Sequence, residues 1–232
     1  MKKIICKMIF VNIIIIFIKM NKPIFISIEG NIGSGKTTFI NNIRSLYPDW
    51  NIIDEPVDSW LALQDDSGKS LLELFYSDKE RWSYTFQNTA FITRYTSMIN
   101  AVKGWDSSKS NIFILERCIL TDRYVFAEML KDSNCLTKLE WDLYLKWFNV
   151  FSDLSTINGI IYITTDYSTC NNRIKIRSRK GEDSIPIDYL NLLETQHEKW
   201  LYNCNIPILN ITSSIEEIPK MEQWISKLNK NI

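Results

Sequence analysis

Gly30-Asn-Ile-Gly-Ser-Gly-Lys-Thr37, GNIGSGKT, fits the pattern G-x-x-x-x-G-K-[ST] at every position. The run before it, Pro23-Ile-Phe-Ile-Ser-Ile-Glu29, is apolar and β-branched and reads as a buried strand. The run after it, Thr37 to Leu46, sets Phe39, Ile40, Ile43 and Leu46 at helical spacing. A strand, a glycine loop and a helix in this order turn backbone N–H groups and the positive end of a helix onto phosphate oxygens. Gly30, Gly33 and Gly35 give the chain room to wrap closely, and Asn31, Ile32, Ser34 and Thr38 complete the wrapping segment. Lys36 is placed to reach terminal phosphates, and the Thr37 hydroxyl to hold Mg²⁺. The stretch predicts binding of ATP or another nucleoside triphosphate.

Working outward, 232 residues with zero formal net charge support one compact domain and give no sign of a surface for a nucleic-acid polymer. Five cysteines (Cys6, Cys118, Cys135, Cys170, Cys204) form no C-x-x-C pair, which fits a reducing compartment, the cytoplasm. The single histidine, His197, lies in a polar helical stretch and reads as a surface residue, so acid–base chemistry falls to carboxylates. Residues 1–20 are a separate apolar extension with the run Ile4 to Ile18, interrupted by Lys7 and Asn12. That run is shorter than the ~20 apolar residues of a spanning helix, and no small-residue cleavage site follows. A start at Met20 or a dispensable extension is favoured over a membrane contact through residues 4–18.

Five short β-branched runs are expected as strands: Ile24 to Ile28, Asn51 to Asp54, Asn111 to Leu115, Gly159 to Thr164 and Ile206 to Ile211. Long helical patterns separate them. One runs from Asp78 to Val102, with Trp82, Phe86, Thr89, Thr93 and Thr96 near one stripe, and an aromatic one from Lys138 to Phe151. Such alternation implies right-handed crossovers and a parallel sheet. The fold class is α/β: a P-loop NTPase-like three-layer α/β/α arrangement over residues 21–232, with a five-stranded parallel sheet and a helical arginine-rich lid.

Three further constellations carry chemistry. Glu55, in Asp54-Glu-Pro56 at the end of the second strand, should share the crevice with the glycine loop and could take a proton from an attacking hydroxyl. In Leu115-Glu-Arg-Cys-Ile-Leu-Thr-Asp-Arg123, Glu116 occupies a position suited to Mg²⁺, and Arg117 could brace both the base and the reacting hydroxyl. In Arg173-Ile-Lys-Ile-Arg-Ser-Arg179, Arg173 and Arg177 share a helix face with Arg179 near its end, and the following charged loop runs to Asp183. Guanidinium forks suit the oxygens of a transferring phosphoryl group.

Taken with Glu55-Pro-Val-x-x-Trp60 and Glu80-Arg-Trp-Ser-Tyr-Thr-Phe-Gln87, these motifs resemble, in order and spacing, the deoxynucleoside kinases of the deoxycytidine/deoxyguanosine kinase type. The resemblance spans residue 23 to the C-terminus. It implies transfer of the γ-phosphoryl group of ATP or another NTP to the 5′-hydroxyl of a 2′-deoxyribonucleoside. Glu55 is then the general base, Arg117 orients the hydroxyl, and Glu116 and Thr37 organise Mg²⁺. Lys36, Arg173, Arg177 and Arg179 neutralise the transferring group. Tyr76 and Glu182 match the pair gripping the sugar 3′-hydroxyl, Gln87 the reader of the base edge, and Trp60, Phe86 and Phe126 the walls around the base.

Arg94 and Asp122 match positions that are apolar or small in the thymidine-accepting branch. Charged here, they predict deoxycytidine, deoxyadenosine and deoxyguanosine over thymidine, with Cys118 and Thr121 able to widen the pocket. Lys180-Gly181 ahead of Glu182 departs from the family's more acidic run, and Thr212 to Ile215 lacks an obvious acidic–aromatic pair beside the donor base. The resemblance also implies a homodimer, with the two long helices as the joining surface. Two rival readings are a thymidylate-type nucleoside monophosphate kinase, which would need extra basic residues for an acceptor phosphate, and a non-catalytic nucleotide-binding protein tethered by its apolar N-terminus.

Overall fold

The apolar run ahead of the glycine loop forms β1 (Ile24–Glu29), and all six residues are buried. Side chains alternate across a strand, so Ile24, Ile26 and Ile28 serve one layer while Phe25, Ser27 and Glu29 face the other. A computed structural model of the chain describes residues 23–152, 156–179, 182 and 185–229. The apolar extension, Cys6, Lys180, Gly181 and Asp183 lie outside them.

With β2 (Asn51–Ile53), β3 (Ile112–Glu116), β4 (Gly159–Ile163) and β5 (Ile208–Ile211), β1 makes a five-stranded sheet in the order β2-β3-β1-β4-β5. Every pairing is parallel, and the register sets Ile28 beside Glu116 and Glu29 beside Tyr162. β1 is central: the chain builds β2 and β3 on one side of it and β4 and β5 on the other. At such a switch point the carboxyl ends of the strands open a crevice. β5 begins two residues later than Ile206, because Pro207 lends its carbonyl to the Ile160 N–H but has no N–H of its own for a ladder.

Helices α1 (Lys36–Leu46) and α9 (Ile218–Asn229) cover the isoleucine face of β1, with Phe39, Ile40 and Ile43 meeting Ile218, Met221 and Ile225. Leu46 does not join them: the stripe that meets the sheet ends at Ile43, and Leu46 is 54% exposed. The other face carries α2 (Val57–Ala62), α3 (Leu71–Ser77), α4 (Lys79–Lys103), α7 (Tyr167–Arg177) and α8 (Ile187–Tyr202). Between β3 and α6 (Lys138–Ser152) a broken helix, α5, is made of Ile119–Thr121, a π-helical Asp122–Ala127 and Glu128–Asp132. Local signals set the starts. Ser70 and Glu73 form a reciprocal cap on α3, Asp78 caps α4, and Asp166 caps α7.

The α4 stripe differs from the threonine-rich one expected. The buried positions are Ser83, Phe86, Gln87, Ala90, Phe91, Arg94, Met98 and Val102, and Thr96 faces solvent. The periodicity is helical and Phe86 is common to both lines, but Trp82, Thr89 and Thr93 are only half-buried, and the centre of the buried face is shifted toward Gln87 and Arg94, which line a cavity. His197 is also a correction. It is fully buried, with Nδ1 2.7 Å from the Leu193 carbonyl and its ring against Tyr162 and Phe126. Its polar sequence neighbours belong to the outer face of α8, while the histidine faces the sheet. α6 is two-sided: Tyr144 and Phe148 are buried, and Leu139, Leu143, Trp147 and Val150 are exposed. Among the described residues no helix is long and apolar enough to cross a membrane.

Candidate active site

A cavity of ≈ 390 Å³ opens at the carboxyl ends of the strands. Its wall includes Ile32, Gly33, Gly35, Lys36, Thr37 and Thr38 from the glycine loop and α1. Glu55, Trp60, Tyr76, Phe86, Gln87, Arg94, Glu116, Arg117, Asp122 and Phe126 come from β2, β3 and the helices on the second face, and Arg173, Arg177, Arg179 and Glu182 from the lid. Residues scattered over about 150 positions thus converge on one space. Gly30, Asn31 and Ser34 stand behind the wall instead, and shape the loop from there.

The loop's conformation explains its glycines. Gly33 has φ +78° and Gly35 φ +98°, and an added Cβ would sit 2.6 Å from the Cys170 carbonyl and 2.8 Å from Ser213. Asn31 ties the loop to α8 through a 2.8 Å bond from Nδ2 to the Leu190 carbonyl, and its Oδ1 accepts the Ile32 N–H. Lys36 Nζ donates to the carbonyls of Asn31 (2.7 Å) and Gly30 (3.1 Å). Burial, followed by the field of Arg117, lowers this ammonium to about 7. Arg173 and Thr165 both donate to the Ser34 carbonyl, at 2.9 and 3.0 Å, so α7 is pinned to the loop.

Thr37 Oγ1 donates to Glu116 Oε1 at 2.7 Å. One hydroxyl and one carboxylate at the mouth of a phosphate loop are a sparse donor set. That suits Mg²⁺, which keeps several waters and takes its other ligands from phosphates.

Glu55 is gripped by two arginines. Arg117 Nη1 lies 3.1 Å from Oε1 and 3.3 Å from Oε2, and Arg94 Nη2 lies 3.1 Å from Oε1. Burial alone would raise this carboxyl, but Arg117, Arg94 and Lys36 override it and hold Glu55 at about 2. Arg94 spends its remaining donors on Asp122 (Nε to Oδ2, 3.0 Å) and on the Glu116 carbonyl (Nη1, 2.9 Å). Burial works against its charge, yet Asp122 and Glu55 more than restore it. Arg117 has φ +63°, in the left-handed region, and its Nη2 donates to the Gly30 carbonyl at 2.9 Å. Phe126 lies beneath the Arg117 guanidinium, 5.2 Å from ring centroid to Cζ.

At the wider end, Trp60 meets Phe86 edge-on with centroids 5.3 Å apart, and its Nε1 is held by the Thr93 hydroxyl at 3.0 Å. Phe75 stacks on Phe86 at 4.4 Å. Gln87 is buried with Oε1 unpaired among the described residues, an acceptor left for a planar polar edge. Tyr76 stays neutral, its hydroxyl raised well above the ordinary value by burial. Glu182 takes ion pairs from Arg177 and from Arg179, the latter at 3.0 Å. α7 ends in Ser178 at φ +47°, so the charged loop begins one residue beyond Arg177.

Leu72, Phe75, Ala90 and Val57 also line the cavity and were not foreseen. Ala90 was readable in principle, since Gln87, Ala90 and Arg94 fall on one helical face and a small residue between two polar ones leaves room for a ligand. The π-helical turn that brings Asp122 and Phe126 to the wall has no signature in its sequence.

Comparison with known proteins agrees with this geometry. Residues 26–232 match the family model described as deoxynucleoside kinase. The chain is 34% identical over 233 residues to human deoxycytidine kinase, covering 88% of this chain and 89% of the relative. It is 41% identical over 194 residues to a probable deoxycytidine kinase of fowlpox virus, covering 80% and 77%. Against the mitochondrial deoxyguanosine kinase of Xenopus laevis the figure is 34% over 191 residues, covering 76% and 72%.

Proposed function

The chain belongs to the deoxynucleoside kinase family, and we propose that it phosphorylates the 5′-hydroxyl of deoxycytidine, deoxyadenosine and deoxyguanosine in preference to thymidine. The observation that carries the preference is the buried Arg94–Asp122 pair beside the unpaired Gln87 Oε1. Fixed acceptors in a desolvated site favour a base with an exocyclic amino group, and thymidine offers none while adding a methyl. The acceptor end supports a nucleoside over a nucleotide, because Arg94 and Arg117 are already committed to carboxylates and carbonyls.

The residues divide the chemistry as follows. Trp60, Phe86 and Phe126 hold the base between them, Gln87 and Asp122 read its edge, and Tyr76 with Glu182 takes the sugar 3′-hydroxyl. Glu55 removes the 5′-hydroxyl proton. At about 2 it is always ionised near neutrality but is a weak base. As the hydroxyl enters, Arg117 turns part of its fork from Glu55 to the incoming oxygen, which releases basicity at the moment it is needed. The hydroxyl oxygen then attacks the γ-phosphorus of ATP or another NTP, the bond from that phosphorus to the β,γ-bridging oxygen breaks, and the nucleoside diphosphate leaves with the electron pair. Lys36 and Arg173, Arg177 and Arg179 neutralise the equatorial oxygens. When bound at Thr37 and Glu116, Mg²⁺ would neutralise charge on the β- and γ-oxygens.

A second copy of the chain fits the exposed face of α6 and α4, where Leu139, Leu143, Trp147, Val150 and Ile92 are left in solvent. We place the enzyme in the cytoplasm as a homodimer, with Trp147→Glu expected to yield monomers by sedimentation. The deciding assay is steady-state phosphorylation by Mg-ATP of deoxycytidine, deoxyadenosine, deoxyguanosine, thymidine and dCMP, run separately. Turnover of the first three with little on thymidine supports the reading. Strong turnover of thymidine overturns the preference, and activity on dCMP alone overturns the acceptor class.

A further inference from the structure

Glu29 is a fully buried carboxylate at the end of β1 to which the chemistry above gives no task. Its Oε1 accepts the Ser27 hydroxyl at 2.5 Å and the Cys118 backbone N–H at 3.2 Å, and Oε2 has no partner among the described residues. Cys118 directly follows Arg117. The link matters because Arg117 sits at φ +63°, a conformation that is strained for a non-glycine residue. Something must hold it there.

Three consecutive residues, the last two of β1 and the first of the glycine loop, do so. The Ile28 carbonyl accepts the Arg117 N–H at 3.1 Å, the Glu29 carboxylate accepts the next N–H, and the Gly30 carbonyl accepts Arg117 Nη2 at 2.9 Å. The strand ladder pairs Ile28 with Glu116 and goes no further. The Glu29 side chain therefore serves the Cys118 N–H at the point where the regular ladder stops. Cys118 is 1% exposed, so without Glu29 its N–H would be buried and unpaired, which is unfavourable. The turn would then relax to a conformation in which the Cys118 N–H finds another partner, and the Arg117 fork would leave Glu55.

We propose that Glu29 is a positioning residue for phosphoryl transfer: by capturing the Cys118 N–H it locks Arg117 in its left-handed conformation and aims its guanidinium at Glu55. Burial raises the Glu29 carboxyl, with Ser27, Thr121 and Arg117 opposing. The capture needs only an acceptor oxygen, so it works in either protonation state. The inference rests on the proposed roles of Glu55 and Arg117.

The test uses the full chain with Glu29→Leu, Glu29→Asp, Glu29→Gln and, as a control, Glu55→Gln. It measures kcat and both KM values, with ATP-binding stoichiometry by calorimetry to count folded sites. Glu29→Leu removes the acceptor, and Glu29→Asp keeps the charge but shortens the reach by one methylene. Each is expected to lower kcat per ATP-binding site by about 30-fold, the scale of a misplaced catalytic group, with KM values within about twofold. Glu29→Gln keeps an acceptor oxygen and is expected to stay within about threefold of the parent. Should Glu29→Leu not fold, Glu29→Asp decides.

The proposal is overturned if Glu29→Asp keeps its kcat. It is equally overturned if Glu29→Gln falls as far as Glu29→Asp, or if the loss follows ATP-binding stoichiometry rather than kcat per site. An active Glu55→Gln would instead overturn the underlying assignment, so the two failures are distinct.

Discussion

The two ends of the cavity carry comparable charge but hold it in different ways. At the hydroxyl end, Glu55, Arg94, Arg117 and Asp122 are 14%, 4%, 4% and 2% exposed and satisfy one another through two carboxylates and two guanidinium groups. At the phosphate end, Arg177 and Arg179 are 34% and 29% exposed and share one carboxylate, Glu182, at the tip of a helix. The first cluster is completed by folding, since its desolvation is offset by internal partners. The second is completed by ligand, since solvent-exposed pairs contribute little and are readily exchanged. An enzyme that must aim a weak nucleophile while admitting and releasing a polyanion benefits from this division.

The comparison can be broken most directly at Glu55. Glu55→Gln is expected to lower kcat about 10³-fold while the ATP dissociation constant stays within about twofold. Single-turnover kinetics alongside calorimetry would check it, and a lost ATP affinity would show that the two ends are not separable. Arg94→Met combined with Asp122→Ala removes the buried pair that lies beside Glu55 in the folded-in cluster. It should move the thymidine to deoxycytidine ratio of kcat/KM about 10²-fold toward thymidine, measured by competition between the two nucleosides. An unchanged ratio would put base selection elsewhere.

Arg179→Ala samples the other end. About a tenfold fall in kcat/KM for ATP is expected, with the parent's ATP KM rising with salt while its nucleoside KM does not. Equal salt dependence at both ends would erase the distinction. The smallest effect concerns the support behind the rigid end. Burial lowers His197 to about 3, so between about pH 3 and 6.5 the unfolded chain binds a proton that the folded chain does not. Stability is therefore fully present above 6.5 and falls as pH drops through that window. At pH 6 the loss is about 0.8 kcal/mol, and His197→Phe should remove that part of the slope in urea unfolding at pH 6 and 8.

How legible each end was follows from what sets it. The glycine loop, the five strands and the lid arginines could be read because each is a local pattern of residue types. Glu55 could be read from its place at the end of a strand, whereas Arg94 and Asp122 were identified through a family resemblance, and the geometry links all three through a single guanidinium that no spacing rule contains. His197 was misplaced because its sequence neighbours lie on the outer face of α8. The α4 stripe was drawn through threonines because the true one includes Gln87 and Arg94, polar residues that are buried at the cavity wall. Glu29 went unremarked as the last letter of an apolar run. Its partner, the N–H of a left-handed turn, exists only once β1 and β3 are side by side.

The π-helical turn Asp122–Ala127 has a consequence of another kind. Such a turn is one residue longer than the α-helical turn it replaces, and here Asp122 and Phe126 both reach the cavity from it. The shape of the pocket wall is therefore written partly in chain length as well as in side-chain identity. Loss of a single residue among Arg123 to Val125 would leave a continuous helix yet rotate Asp122 by about 100° relative to Phe126. For lineages that drift by insertion and deletion, this turn is a counting device, where one codon more or less changes which side chains the cavity presents without replacing any of them.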